Sequence, residues 1–138
     1  MKLIIIGAGP GGYETALAAA KRGIEVTIFE SGNLGGTCLN EGCIPTKALC
    51  RNAEIMEEMR MAEEFGVYPD ANAESSGTVR IDMKKVQERK QAIVSRLGEG
   101  IESLLKHKLI TLVRAHAEFK DEHTVVAGGL EYTADTII

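Results

Sequence analysis

Residues 7–12 read GAGPGG, directly after the apolar run Leu3–Ile6 and directly before an alanine-rich stretch ending at Lys21. Few local patterns restrict a fold so tightly. Lys2 to Ile6 predicts a short strand, apolar on both faces as central parallel strands are. Tyr13 to Lys21 predicts a helix, with Gly23 as its stop just past Arg22. Glu25 to Phe29 predicts a second strand, Val26 and Ile28 on one face, Thr27 and Phe29 on the other. Together they form a βαβ unit of about thirty residues. Gly7, Gly9 and Gly12 then have the G-x-G-x-x-G spacing at the turn from strand to helix. One glycine permits the tight turn, one lets the backbone approach a pyrophosphate, and one lets helix and strand pack closely. Glu30 ends the second strand, where an acid accepts hydrogen bonds from both ribose hydroxyls of an adenosine and repels a 2′-phosphate. The motif fits FAD and NAD equally.

Beyond Glu30 the chain reads GGTCLNEGCIPTK over residues 35–47, with Cys38 and Cys43 five apart. Five residues of ideal helix rise about 7.5 Å, more than the roughly 7 Å over which a disulfide joins two Cα atoms. If these cysteines bond, the backbone between them leaves regular helix, and Gly42 and Pro45 suit such a break. A metal site needs further ligands, and Cys50, His107, His116 and His123 lack zinc-site spacing to the pair. A structural bridge closing so small a loop gains little entropy. A redox pair beside a dinucleotide site is the leading reading. The three histidines read as surface or strand residues, and Cys50 as a packing residue.

The rest of the chain supplies scaffold. A helix is expected from about Pro45 to Glu64, with Leu49, Ala53, Met56, Met59 and Phe65 at near-helical spacing. GVYPDANAESSG (66–77) is loop by composition. A second long helix starts near an Asp82 N-cap, its stripe running from Val86 through Ile93, Val94, Leu97 and Ile101 to Leu105. Gly98 and Gly100 predict a weak point or kink in it. Strands follow: LITLVRAHAEF, HTVVA, a Gly128–Gly129 turn and LEYT. ADTII opens what reads as another buried parallel strand, so the chain is expected to be a fragment.

Net charge is −4 and tryptophan is absent, which argues against nucleic acid or an anionic membrane as the main partner. The N-terminal apolar run is too short for a signal peptide, and no run reaches transmembrane length. A soluble cytoplasmic protein without a metal site is expected.

GGTCLNEGCIPTKAL after GAGPGGYETALAAA resembles the flavin-dependent pyridine nucleotide–disulfide oxidoreductases, over essentially the whole chain. The wording CLN…CIPTKAL favours their lipoamide branch over the glutathione and mercuric reductases, which it also resembles. The resemblance implies an α/β, Rossmann-like FAD-binding domain: a βαβ parallel sheet, two long helices and C-terminal antiparallel strands, truncated. Residues 1–138 would be its N-terminal part, with the rest of the FAD domain, the NAD domain and the dimerisation domain absent. FAD would lie against Gly7, Gly9, Pro10 and Gly12 at its pyrophosphate and Glu30 at its ribose. Gly36, Thr37, Cys38, Lys47 and the Ala115 backbone would complete the site. Many relatives carry glycine at the Ala115 position, and alanine fits there if φ is negative. Cys38 would exchange with the dithiol substrate, Cys43 would face the flavin, and Lys47 would lie near its N5. The resemblance also implies NAD as co-substrate, a lipoyl-bearing acyltransferase or carrier protein as partner, a homodimer, and a part in cell redox homeostasis. The family's base is a histidine near the far C-terminus, with which none of the histidines here aligns.

Overall fold

A computed structural model describes residues 1–68 and 80–138. Two sheets and a helical layer stack around the first strand. β1 (Lys2–Ile6) and β2 (Glu25–Phe29) pair in parallel, joined by α1 (Pro10–Lys21). The helix begins three residues before the expected start because Pro10 occupies its first turn, where a missing N–H costs no helix bond. From Leu3 onward β1 is apolar on both faces, for a visible reason. Leu3 and Ile5 face α1 and the later helix α4 (Met83–Leu105), whereas Ile4 and Ile6 face a second sheet.

That sheet is antiparallel: β4 (Ala117–Phe119), β5 (Thr124–Ala127) and β6 (Leu130–Thr133), the last two joined through Gly128 and Gly129. The stretch LITLVRAHAEF therefore divides. Its first part, β3 (Ile110–Val113), joins the parallel sheet beside β2, and only the second part is antiparallel. The parallel sheet has the order β3-β2-β1-β7, where β7 (Thr136–Ile137) is the strand expected in ADTII. β7 is parallel as expected but not buried: Thr136 is exposed and Ile137 half-buried. Phe29 closes the seam between the sheets, its ring edge-on to Tyr132 at 5.0 Å.

The cysteine-bearing segment holds two helices, α2 (Gly36–Asn40) and α3 (Cys43–Arg60), followed by a 3-10 turn over Ala62–Phe65. α3 begins two residues before Pro45, which its first turn accommodates. Its expected apolar stripe is open rather than buried, with Leu49 37% and Met59 51% exposed, and Phe65, which falls in the 3-10 turn beyond the helix, 78%. Of the expected loop at 66–77, residues 69–77 lie outside the described residues. Asp82 caps α4 as expected, its Oδ1 accepting from the N–H groups of Lys84 and Lys85.

α4 runs unbroken through Gly98 and Gly100, so the expected weak point does not interrupt it. A Cβ at either glycine meets nothing within 4 Å. Gly98→Ala and Gly100→Ala should each stabilise the chain by up to about 1 kcal/mol. Urea unfolding checks this; a loss of stability would contradict helical backbone at these positions.

Candidate functional site

The C-terminal edge of the parallel sheet gathers the glycine turn, Glu30, the Ala115 segment and the cysteines. Gly7 turns out of β1 with φ 101°, a conformation that excludes most side chains, and its N–H donates to the Phe29 carbonyl at 2.8 Å. A Cβ on Gly12 would strike the Gly7 carbonyl oxygen, so helix and strand pack here at a distance only glycine allows. The first-turn N–H groups of α1, those of Gly11 and Gly12 included, have no intrahelical acceptor. They lie at the positive end of a twelve-residue helix, a setting that suits a phosphate.

Glu30 does more than the sequence suggests. Its two carboxylate oxygens accept from the backbone N–H groups of Ala8 and Gly32, each at 2.8 Å. The acid therefore organises the turn as well as offering its remaining lone pairs outward. The Val113 carbonyl accepts from the N–H groups of Glu30 (3.0 Å) and Ala115 (3.1 Å), which brings Ala115 to the same edge. No non-glycine residue described has positive φ, so alanine is compatible with the backbone at 115.

The cysteine-bearing segment touches this turn directly. The Gly35 N–H donates to the Ala8 carbonyl at 2.8 Å. A Cβ on Gly36 would approach the Gly9 Cα to 2.9 Å, closer than real Cβ contacts allow. Cys38 lies in the middle of α2 and Cys43 is the first residue of α3. Between them the helix breaks, as a bonded pair would need, at Glu41 (φ −134°, ψ −8°) and Gly42 (φ −119°, ψ −106°). Gly42 lies so close to the Cys38 backbone that a Cβ would come within 3.4 Å of the Cys38 Cα.

Both cysteines are free thiols in this structure, Cys38 half-buried and Cys43 exposed. The neighbouring Cys43 side chain, chiefly as a hydrogen-bond partner, holds the Cys38 pKa above the ordinary thiol value; burial adds to the rise, and the charge of Lys47 opposes it. Lys47 is exposed, one turn into α3 from Cys43. Thr37, also exposed, lies beside Cys38 in α2. An apolar concavity of about 210 Å³ opens next to Cys38, walled by Pro10, Tyr13, Leu39, Ile44 and Leu97. A larger, mainly polar concavity of about 430 Å³ lies at the opposite edge of the sheet around Lys2, Glu25 and Tyr132, and none of the expected site residues lines it.

Three features depart from the sequence reading or escaped it. Cys50 is exposed and does not pack; it lies two turns beyond Cys43 on the same side of α3. The Asn40 amide, unmarked by any motif, donates to the carbonyls of Leu34 (3.0 Å) and Gly36 (2.9 Å). α2 itself went unseen, because five residues carry no readable period. The histidines behave as expected. His116 and His123 are exposed beside Glu118 and Glu122, and the His107 Nδ1 accepts from the Leu109 N–H. Among the described residues no three His, Cys, Asp or Glu side chains cluster as a metal site, and no helix is long and apolar enough to cross a membrane.

A doubly layered α/β domain with a glycine-rich strand-to-helix turn and two cysteines set against it has the architecture of a dinucleotide-binding redox protein. The family model described as pyridine nucleotide-disulphide oxidoreductase matches residues 1–138, and the chain belongs to this family. A dihydrolipoyl dehydrogenase of Bacillus subtilis (strain 168) is 42% identical over 129 residues, covering 94% of this chain and 27% of that protein. One from Geobacillus stearothermophilus is 47% identical over 122 residues, covering 88% and 24%. Among solved structures, the HOCl-induced flavoprotein disulfide reductase RclA from Escherichia coli superposes with a TM-score of 0.77 at 28% identity, covering 99% of this chain and 27% of that one. Its Cu(II) complex gives 0.76. The chain thus spans about a quarter of the length of these proteins.

Proposed function

We propose that this chain is the N-terminal part of the FAD-binding domain of a longer protein that reoxidises protein-bound dihydrolipoamide with NAD⁺. The carrying observation is the backbone contact of Gly36 with Gly9, which sets the thiol pair against the dinucleotide turn. The turn suits a dinucleotide pyrophosphate: the space beside Gly7 is open, Gly12 lets the start of α1 pack against the Gly7 carbonyl, and Gly9 and Pro10 complete the turn. Glu30 would hold the ribose, with Gly36, Thr37, Cys38, Lys47 and the Ala115 backbone along the rest of FAD. When bound, FAD supplies a two-electron acceptor for the thiol pair and a hydride donor for NAD⁺.

The protein's own sulfurs do the exchange. In the oxidised state one thiolate of dihydrolipoamide attacks the Cys38 sulfur of a Cys38–Cys43 disulfide and releases Cys43 as thiolate. The second substrate thiol then displaces Cys38, so lipoamide leaves as a disulfide and two electrons remain on Cys38 and Cys43. Lys47 favours negative charge at the pair. A lipoyl-bearing acyltransferase or carrier protein is the expected partner of the longer protein, which is expected to be a cytoplasmic homodimer.

A second reading follows from the likeness to RclA, a flavoprotein disulfide reductase also solved as a Cu(II) complex: the longer protein would reduce another disulfide or a metal ion instead. Side-by-side assays of the longer protein separate the two. Dihydrolipoamide with NAD⁺ should give the highest kcat/KM; higher values with glutathione disulfide, Hg²⁺ or Cu²⁺ would replace the reading. The 138-residue chain alone should emerge colourless from gel filtration after incubation with FAD. A yellow protein peak would show that these residues hold FAD by themselves.

A further inference from the structure

We propose that Asn40 is a positioning residue for Cys38, clamping the short helix that carries this thiol onto the dinucleotide turn. The proposal rests on the reading of Cys38 and Cys43 as the redox pair. α2 spans only five residues, and Gly35 before it offers no side-chain cap. So short a helix does not persist through its own hydrogen bonds and needs outside anchors. Two are visible: the buried Leu39 side chain and the half-buried Asn40 amide.

Both hydrogens of the Asn40 NH₂ are used, on the Leu34 carbonyl at 3.0 Å and the Gly36 carbonyl at 2.9 Å. These carbonyls flank Gly35, whose N–H reaches Ala8; the Ala8 N–H in turn reaches Glu30. A continuous line of hydrogen bonds therefore runs from the adenosine side of the turn, through the fully buried Ala8, to the residue two places beyond Cys38. Without the amide, both carbonyls lose a partner and α2 keeps Leu39 as its main anchor. Cys38 then leaves its half-buried place against Cys43. Asn52 supplies a matched control, since its Nδ2 donates to the Ala48 carbonyl at 3.1 Å inside the long helix α3.

The test alkylates the fully reduced 138-residue chain with iodoacetamide and reads each cysteine by fragment-ion mass spectrometry, with exposed Cys50 as internal reference. Asn40→Ala should raise the Cys38/Cys50 rate ratio at least about fivefold, because an escaped thiol is more accessible and ionises more readily. Asn52→Ala should leave the ratio within about twofold of the unsubstituted chain, although it too loses an amide bond. Asn40→Ser, which keeps one donor, should fall between and decides the matter if Asn40→Ala does not fold. A ratio unchanged in the folded Asn40 variants, or raised equally by Asn52→Ala, overturns the proposal. Titrating the unsubstituted chain in glutathione redox buffers tests the underlying reading separately. Failure to form a Cys38–Cys43 disulfide there would remove the redox pair, whatever the alkylation ratios show.

Discussion

Gly12→Ala should destabilise the chain by about 3 kcal/mol, a large share of the stability of a domain this size. Helix propensity alone points the other way, favouring alanine by about 1 kcal/mol. The backbone at Gly12 is helical and has no positive φ, so conformation raises no objection. Packing decides the sign. The new Cβ would overlap the Gly7 carbonyl oxygen and reach 3.0 Å from its carbon and 3.4 Å from the Ile5 Cγ2. Two of these atoms are backbone and do not rotate aside, so α1 must lift from β1 and carry its first-turn N–H groups with it. Gly11→Ala meets nothing within 4 Å and should be neutral or slightly stabilising. Urea unfolding followed by circular dichroism compares them. Equal effects at 11 and 12 would contradict the close approach of helix and strand.

Cys43→Ser and Cys38→Ser should each lower disulfide-linked turnover of the longer protein by at least about three orders of magnitude, because a hydroxyl forms no S–S bond. The two positions differ in what remains. Cys38 ionises at higher pH than an ordinary thiol, chiefly because of its side-chain hydrogen bond with Cys43. Cys43→Ala removes that bond and the charge repulsion, whereas the backbone N–H at 43 and Lys47, which pull the other way, stay. The pH midpoint of Cys38 alkylation should therefore move down in Cys43→Ala. An upward shift would mean that the two side chains do not meet.

What the sequence disclosed divides by the physics that records it. Backbone constraints leave a clear trace: Gly7 has a φ that few other residues adopt, a Cβ at Gly12 has no space, and the turn was legible from them in their strand–helix context. The break between Cys38 and Cys43 was legible only on the condition that the two bond, with Gly42 suited to it; the structure has the break with both thiols free. Strand character located Ile110–Val113 but not its sheet, because an apolar strand pairs equally well in either arrangement. Periodicity found α3 yet did not say what covers it; Leu49 and Met59 have helical spacing and lie open. Cys50 misled for the same reason, small and apolar in type but exposed. Asn40 was invisible because an amide bonding two loop carbonyls has no spacing signature. The second bond of Glu30, to Gly32, belongs to the same class.

The proposed function requires electrons to pass between the Cys38–Cys43 pair and a flavin set against it. The most direct measurement is the visible spectrum of the longer protein after anaerobic two-electron reduction with dihydrolipoamide. A thiolate lying against oxidised flavin gives a long-wavelength absorbance band, and the account predicts that band in the unsubstituted protein and its loss in Cys43→Ser. A band that survives Cys43→Ser, or one absent from the reduced unsubstituted protein, would contradict it.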